Sequence, residues 1–153
     1  MQLVQVMHRL VFVLDKEADR LLRARGRQSF SLTILLHILD THGTLSQDVI
    51  AECLNITPPA VSRQVDTLVK AGLVTREVVA ENRRQYRIAL TPAGKKEVRG
   101  SMTLLKKSLA PMFERIPEPK RVAAIRVMGQ ALALMGDGTE YIVRRPPAAS
   151  IKK

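Results

Sequence analysis

A mainly α-helical fold carrying one short β-hairpin is what this sequence predicts, and three observations predict it. Apolar residues recur three or four apart over most of the chain, the spacing that lines one face of an α-helix. That rhythm breaks once, over residues 73–90, where two β-rich runs flank the polar stretch Ala80-Glu81-Asn82-Arg83, the pattern of a hairpin. Helix breakers stand at the joints, with Gly43, Gly72 and Pro117 each closing a periodic segment.

The elements follow in order. Leu3 to Leu22 reads as an amphipathic helix through Leu3, Met7, Leu10, Leu14, Ala18 and Leu21. The basic stretch Arg23 to Gln28, with Gly26, connects it to a second helix over Ser31 to Asp40 that Gly43 stops. A short helix runs from Ser46, its N-cap, to Leu54. Asn55-Ile56 makes a tight break, and Thr57 then caps a helix reaching Lys70. Pro58 and Pro59 sit in its first turn, where an N–H would lack a partner anyway. Ala71-Gly72 ends it. Leu73 to Val79 and Arg84 to Leu90 are the two strands, with Tyr86, Ile88 and Leu90 on one face. Thr91-Pro92 opens a long helix with Val98, Met102, Leu105, Leu109, Met112 and Ile116 in a near-heptad row. Pro117 and Pro119 break it before a last helix over Lys120 to Met135.

Composition narrows the chemistry. The chain has 153 residues and a formal net charge of +11, a field that attracts polyanions, with nucleic acid ahead of an anionic membrane surface. Aromatic residues make up 3%, too few for a stacking platform on single strands, so duplex DNA is the better fit. The single cysteine excludes an intrachain disulfide. No apolar run suffices to span a bilayer, and Met1-Gln2-Leu3 does not begin a signal peptide. A cytoplasmic location and no membrane partner are the expectations.

The stretch Ser46 to Gly94 carries the functional signal. At 100° per residue, Val61, Val65 and Leu68 share one face of the fourth helix. Pro59, Ala60, Arg63, Thr67 and Lys70 share the opposite face, with Gln64 on its flank. A small, polar and basic face opposite an apolar one suits the major groove, where Arg63 can pair with guanine O6 and N7, and Gln64 with adenine N6 and N7. Arg76, Arg83, Arg84 and Arg87 gather on the hairpin, where like charges repel unless an anion meets them. The fold class expected is therefore a winged helix-turn-helix core with a two-stranded wing, flanked by N- and C-terminal dimerisation helices.

These residues also resemble a known family. Thr57 to Leu68 (Thr-Pro-Pro-Ala-Val-Ser-Arg-Gln-Val-Asp-Thr-Leu), followed by Ala71-Gly72-Leu73-Val74-Thr75-Arg76, is similar to the recognition helix and first wing strand of MarR-type regulators. Asn82-Arg83-Arg84 and Leu90-Thr91-Pro92-Ala93-Gly94 resemble that family's wing tip and its entry to the next helix. The resemblance covers about residues 3–135. Where the family's wing carries Asp two residues before its DNA-contacting Arg, this chain has Asn82 before Arg84, and Asn offers only a neutral hydrogen bond to the guanidinium.

The resemblance implies that the first helix and the last two interlock with those of a second copy. The residues agree, since three amphipathic helices flank the winged core and are too extended for one small core to cover. The expected organisation is a single domain over residues 1–136. Residues 30–92 form its DNA-binding lobe, 1–28 and 93–136 its dimerisation lobe, and 137–153 a mobile basic tail. The expected DNA-binding set is Thr57, Pro59, Ala60, Ser62, Arg63, Gln64, Thr67, Arg76, Arg83, Arg84 and Arg87. The leading reading is a homodimeric, sequence-specific regulator of transcription on a two-fold symmetric duplex site, a repressor released by a small apolar or phenolic effector. Its rival is a winged-helix module that binds an acidic protein.

Other residues are read conservatively. Cys53 is expected as a buried structural thiol. His8, His37 and His42 form no ligand motif with Cys53, so no metal is expected. No phosphate loop, nucleophile elbow or paired carboxylates appear, which argues against an enzyme and against a cofactor. Met102, Met112, Met128 and Met135 suit a core, or an adaptable apolar pocket for an effector.

Overall fold

The computed structural model describes residues 1–79 and 82–134, with the backbone alone for residues 79 and 82–85. Ala80-Glu81 at the expected turn, Met135 and the basic tail over residues 137–153 lie outside the described residues. The described chain divides into two compact units, residues 1–108 and the stretch from Leu109 onward.

In the first unit, α1 (Gln2–Arg23) and α2 (Phe30–His42) precede a two-residue strand, β1 (Leu45–Ser46). Then come α3 (Gln47–Leu54), α4 (Pro58–Lys70), β2 (Val74–Val79), β3 (Asn82–Leu90) and the start of α5 (Pro92–Glu114). The helices lie where the periodicity places them. The hairpin departs in two respects. Asn82 and Arg83 belong to β3 and not to the turn, and the sheet has three strands in the order β1-β3-β2. Leu45 pairs with Ile88 and Ser46 with Arg87, antiparallel. Two residues are too few to show alternation, so β1 carries no periodic signal.

Local chemistry fixes the joints. The N–H of Val49 donates to Ser46 Oγ at 3.3 Å, making the expected cap of α3. Asn55 takes a left-handed conformation (φ 50°) that Asn tolerates better than most residues, turning the chain between α3 and α4. Thr57 stands at the N-cap of α4 without a side-chain cap bond. Its carbonyl receives the N–H groups of Ala60 and Val61, and the two prolines preset the first turn. At the far end, Gly72 (φ 69°) lets its own N–H reach the Val69 carbonyl and that of Leu73 the Leu68 carbonyl, both at 2.9 Å. This Schellman closure satisfies carbonyls that α4 would otherwise leave bare.

The core of this unit is one apolar cluster. Leu35, Leu36 and Leu39 of α2 meet Ile50 of α3, Val61, Val65 and Leu68 of α4, Ile88 of β3 and Val98 of α5. Asp19 ties α1 to the start of α2, accepting the N–H of Phe30 at 3.0 Å as well as an ion pair from Arg23. The Arg23 hydrogen bond first, then that of Phe30, holds its carboxyl below the usual aspartate range.

Of the row Val98, Met102, Leu105 and Leu109, expected to face a partner, the first three are instead used within the first unit. Val98 is wholly buried, Leu105 is 6% exposed, and Met102 packs on the core. Open apolar surface lies elsewhere. On α1, Leu3, Val4, Val6, Val11 and Phe12 are exposed. The second unit carries α6 (Glu118–Leu134), with Pro119 inside its first turn rather than before it. No residue of α6 is buried, and Val122, Ile125 and Leu134 are exposed.

A contact at the base of the hairpin sets the tightest tolerance. A Cβ on Gly94 would stand 2.0 Å from the Leu73 carbonyl oxygen. Gly94→Ala must therefore push α5 away from the end of α4, and we expect a loss of about 3 kcal/mol or more in urea denaturation. Gly129 of α6 has nothing within 4 Å of its Cβ position, so Gly129→Ala should stabilise by roughly 0.5–1 kcal/mol through helix propensity alone.

Candidate nucleic-acid interface

Helix α4 is built to show one face. Val61, Val65 and Leu68 are fully buried, as expected from the wheel. Thr57, Pro59, Arg63, Thr67 and Lys70 are exposed, and Ala60, Ser62 and Gln64 are half-buried. Thirteen helical residues span about 20 Å, and the exposed row holds nothing larger than Arg63 and Lys70. Such a ridge fits a major groove about 12 Å wide.

The individual side chains differ in how freely they are offered. Among the described interactions Arg63 has no ion pair, so its five donors point to solvent. Thr67 Oγ1 donates to the Arg63 carbonyl at 3.0 Å, leaving its hydroxyl as an acceptor and its methyl as an apolar contact. Gln64 is less available than its flanking position suggests. Its Oε1 is buried with no hydrogen-bond partner among the described residues, so presenting both amide atoms to an adenine edge requires a change of rotamer.

The hairpin arginines fall into three groups. Arg87 is exposed and stands opposite Glu77 across the ladder. Arg83 and Arg84 belong to β3, at its start beside Asn82, and their side chains lie outside the described residues, as does any pairing of Asn82 with Arg84. Arg76 is engaged inside the fold. Its Nη1 lies 2.7 Å from Asp66 Oδ1, its Nη2 donates to the Ser62 carbonyl at 3.4 Å, and its guanidinium sits 5.2 Å from the centre of the Tyr86 ring.

Asp66 and Tyr86 are therefore part of the site's architecture, and the residue reading missed both. Strand parity was the available signal. Val74, Arg76 and Val78 pair with Leu90, Ile88 and Tyr86, the face that alternation assigns to the core.

Behind the helix, Thr91 joins the two ends of the hairpin. Its hydroxyl donates to the Gly72 carbonyl at 2.7 Å and accepts the Gly94 N–H at 3.0 Å, while its own N–H donates to the Leu73 carbonyl at 3.0 Å. One residue thus caps α5 and holds the end of α4.

Cys53 is half-buried rather than enclosed. Burial, with the neighbouring Glu52 carboxylate adding to it, pushes its thiol above the ordinary range. Among the described residues no group of three or more His, Cys, Asp and Glu gathers as a metal site, and no helix is long and apolar enough to cross a membrane.

The fold and the exposed helix beside an arginine-bearing hairpin define a winged helix-turn-helix protein. Residues 31–85 match the model of the MarR family. Among solved structures it is similar to Sco5413, a MarR family transcriptional regulator from Streptomyces coelicolor. The two share 21% identity over 90% of this chain and 96% of that one, with a TM-score of 0.76. It is also similar to MepR of Staphylococcus aureus in a DNA complex, at 22% identity over 85% and 96% of the two chains, TM-score 0.76. A third, the MarR family transcription regulator SP03579, gives 20% identity over 89% of each chain and a TM-score of 0.78. At these identities the likeness establishes the fold. A search of curated proteins found no match.

The raised thiol pKa gives a direct check. Alkylation of Cys53 in the folded chain at pH 8 should run slower than in the urea-denatured chain, and the folded rate should keep rising with pH after the denatured rate levels off. Equal rates in the two states would place the thiol in open solvent.

Proposed function

We propose that this chain is a sequence-specific regulator of transcription that binds duplex DNA as a homodimer. The observation that carries the reading is α4, with Val61, Val65 and Leu68 wholly buried and Arg63, Thr67 and Lys70 exposed on the other side. An exposed basic helix face beside a basic hairpin, on a chain of net charge +11, is what a polyanion with a groove selects. The MepR structure is a DNA complex of that protein, which supports the same use of the fold here.

In this reading α4 enters the major groove. Thr57, Pro59, Ala60, Ser62 and Thr67 set its approach, while Arg63 reads guanine and Gln64 an adjacent base once its amide turns outward. Arg87 meets phosphates, and Arg83 and Arg84 at the wing reach the minor groove, whose potential favours Arg. Residues 30–92 form the DNA-binding lobe, and residues 1–28 and 93–136 pair the protomers. The exposed apolar side chains of α1 and α6 support pairing, since burying each is worth roughly 1.5–3 kcal/mol. Two copies related by a two-fold axis require a two-fold symmetric operator. The regulator acts in the cytoplasm as a repressor, and a small apolar or phenolic effector releases it.

Selection from random duplex DNA should return a two-fold symmetric consensus. On that site, Arg63→Ala should cost roughly 1–3 kcal/mol and relax preference at one base pair in each half. A loss equal for all sequences would make Arg63 a phosphate contact. Sedimentation at micromolar concentration should give a mass near twice 17.1 kDa. Replacing Leu3, Val6 and Ile125 by Asp should lower that mass toward the monomer.

A further inference from the structure

The strand register sorts β2 into two faces. Val74, Arg76 and Val78 are in phase with Leu90, Ile88 and Tyr86, and Val74 and Ile88 are buried. Thr75 and Glu77, out of phase, are exposed. Arg76 therefore rises from the face that Val74 and Ile88 bury, next to the exposed Val78, and reaches α4. There it takes the Asp66 carboxylate and the Ser62 carbonyl, four residues apart on successive turns of the helix, while its guanidinium rests over Tyr86 of β3.

We propose that Arg76 is a positioning residue and not a DNA contact, a proposal that rests on the DNA-binding reading above. One side chain grips two turns of the recognition helix and both strands of the wing, so it sets the rotation of α4 relative to the hairpin. The apolar packing beneath α4 cannot do this alone, because it is largely non-directional. A guanidinium fork is directional, with donors fixed in a plane. Rotating a helix of about 5–6 Å outer radius by 10° moves its surface atoms by about 1 Å, enough to spoil a base contact that needs sub-ångström placement. Arg76 has little left to offer a phosphate, since its side chain is 24% exposed, both terminal nitrogens are engaged and its Nε is buried.

The pair also answers a problem of charge. Asp66 is half-exposed, at 50%, on a helix that meets a polyanion. Arg76 neutralises it while using it as an anchor.

The test compares the selected duplex with an unrelated one over a salt series, using the full chain. Asp66→Ala removes a negative charge from the DNA-facing helix and should tighten the unrelated duplex. The same change should weaken the selected duplex by about tenfold, and opposite signs are something a merely destabilised fold does not give. Arg76→Gln should weaken the selected duplex by a similar factor with the wild-type salt slope, and the double variant should lose no more than the larger single. Arg76→Lys keeps the charge and guards against a folding defect. It should still lose affinity for the selected duplex while holding the unrelated one at the wild-type level.

A salt slope flattened by about 0.9 for each phosphate lost in Arg76→Gln would overturn the proposal. So would Asp66→Ala tightening both duplexes alike. A wild type that binds no duplex in any arm would instead overturn the DNA-binding reading and this proposal with it.

Discussion

Where α4 ends and the hairpin begins, the Leu73 carbonyl accepts the Thr91 N–H at 3.0 Å and stands 2.0 Å from the place a Gly94 Cβ would occupy. That close approach lets α5 start against the last turn of α4, with the Thr91 hydroxyl bridging Gly72 and Gly94. The two strands leave and return at one point, so the wing is anchored at its base. The buried row of α4 then has a fixed wall to pack on. Had residue 94 a side chain, the helix, the hairpin and α5 could not share that corner.

From this corner the chain divides its apolar surface between two uses. Around α4 most large apolar side chains go inward, including the Val98 to Leu105 row of α5, which looks like a seam when read as a line of letters. Away from it, α1 and α6 leave Val4, Phe12, Ile125 and Leu134 in the open. Scattered exposed apolar residues need no explanation, but rows of them on two helices invite a cover. The row closest to a heptad is thus consumed within the first unit, and the less regular rows stay exposed.

Charge follows a similar division. Arg20 and Arg23 of α1 pair with Glu17 and Asp19, three and four residues away, which lowers both carboxyls. Arg27 joins Glu97 on α5 at 3.1 Å, and Ser101, fully buried, completes that junction. On the face of α4, by contrast, Arg63 has no such acid among the described residues, and the one carboxylate in that helix is held by Arg76. Asp19, Glu97 and Asp66 each tie one element to another, and the exposed face of α4 keeps the cations Arg63 and Lys70.

The sequence by itself determined the order and extent of the helices, because the three-four spacing and the Gly, Asn and Pro stops are local properties of a backbone with few allowed shapes. It also determined which side of α4 faces the core, since 100° per residue leaves Val61, Val65 and Leu68 no other arrangement. Only the tertiary structure decided what each charged or apolar group does next. That β1 joins the sheet, that Val98 is spent within the protomer, that the Gln64 oxygen turns inward and that Arg76 serves Asp66 are all outcomes of distance in space. Residues 62 and 66 share the period of α4, but residues 76 and 86 lie on two different strands, so no single local pattern brings the four together. What joins them is a ladder register and the packing of a helix on a sheet, both set by contacts distant in sequence.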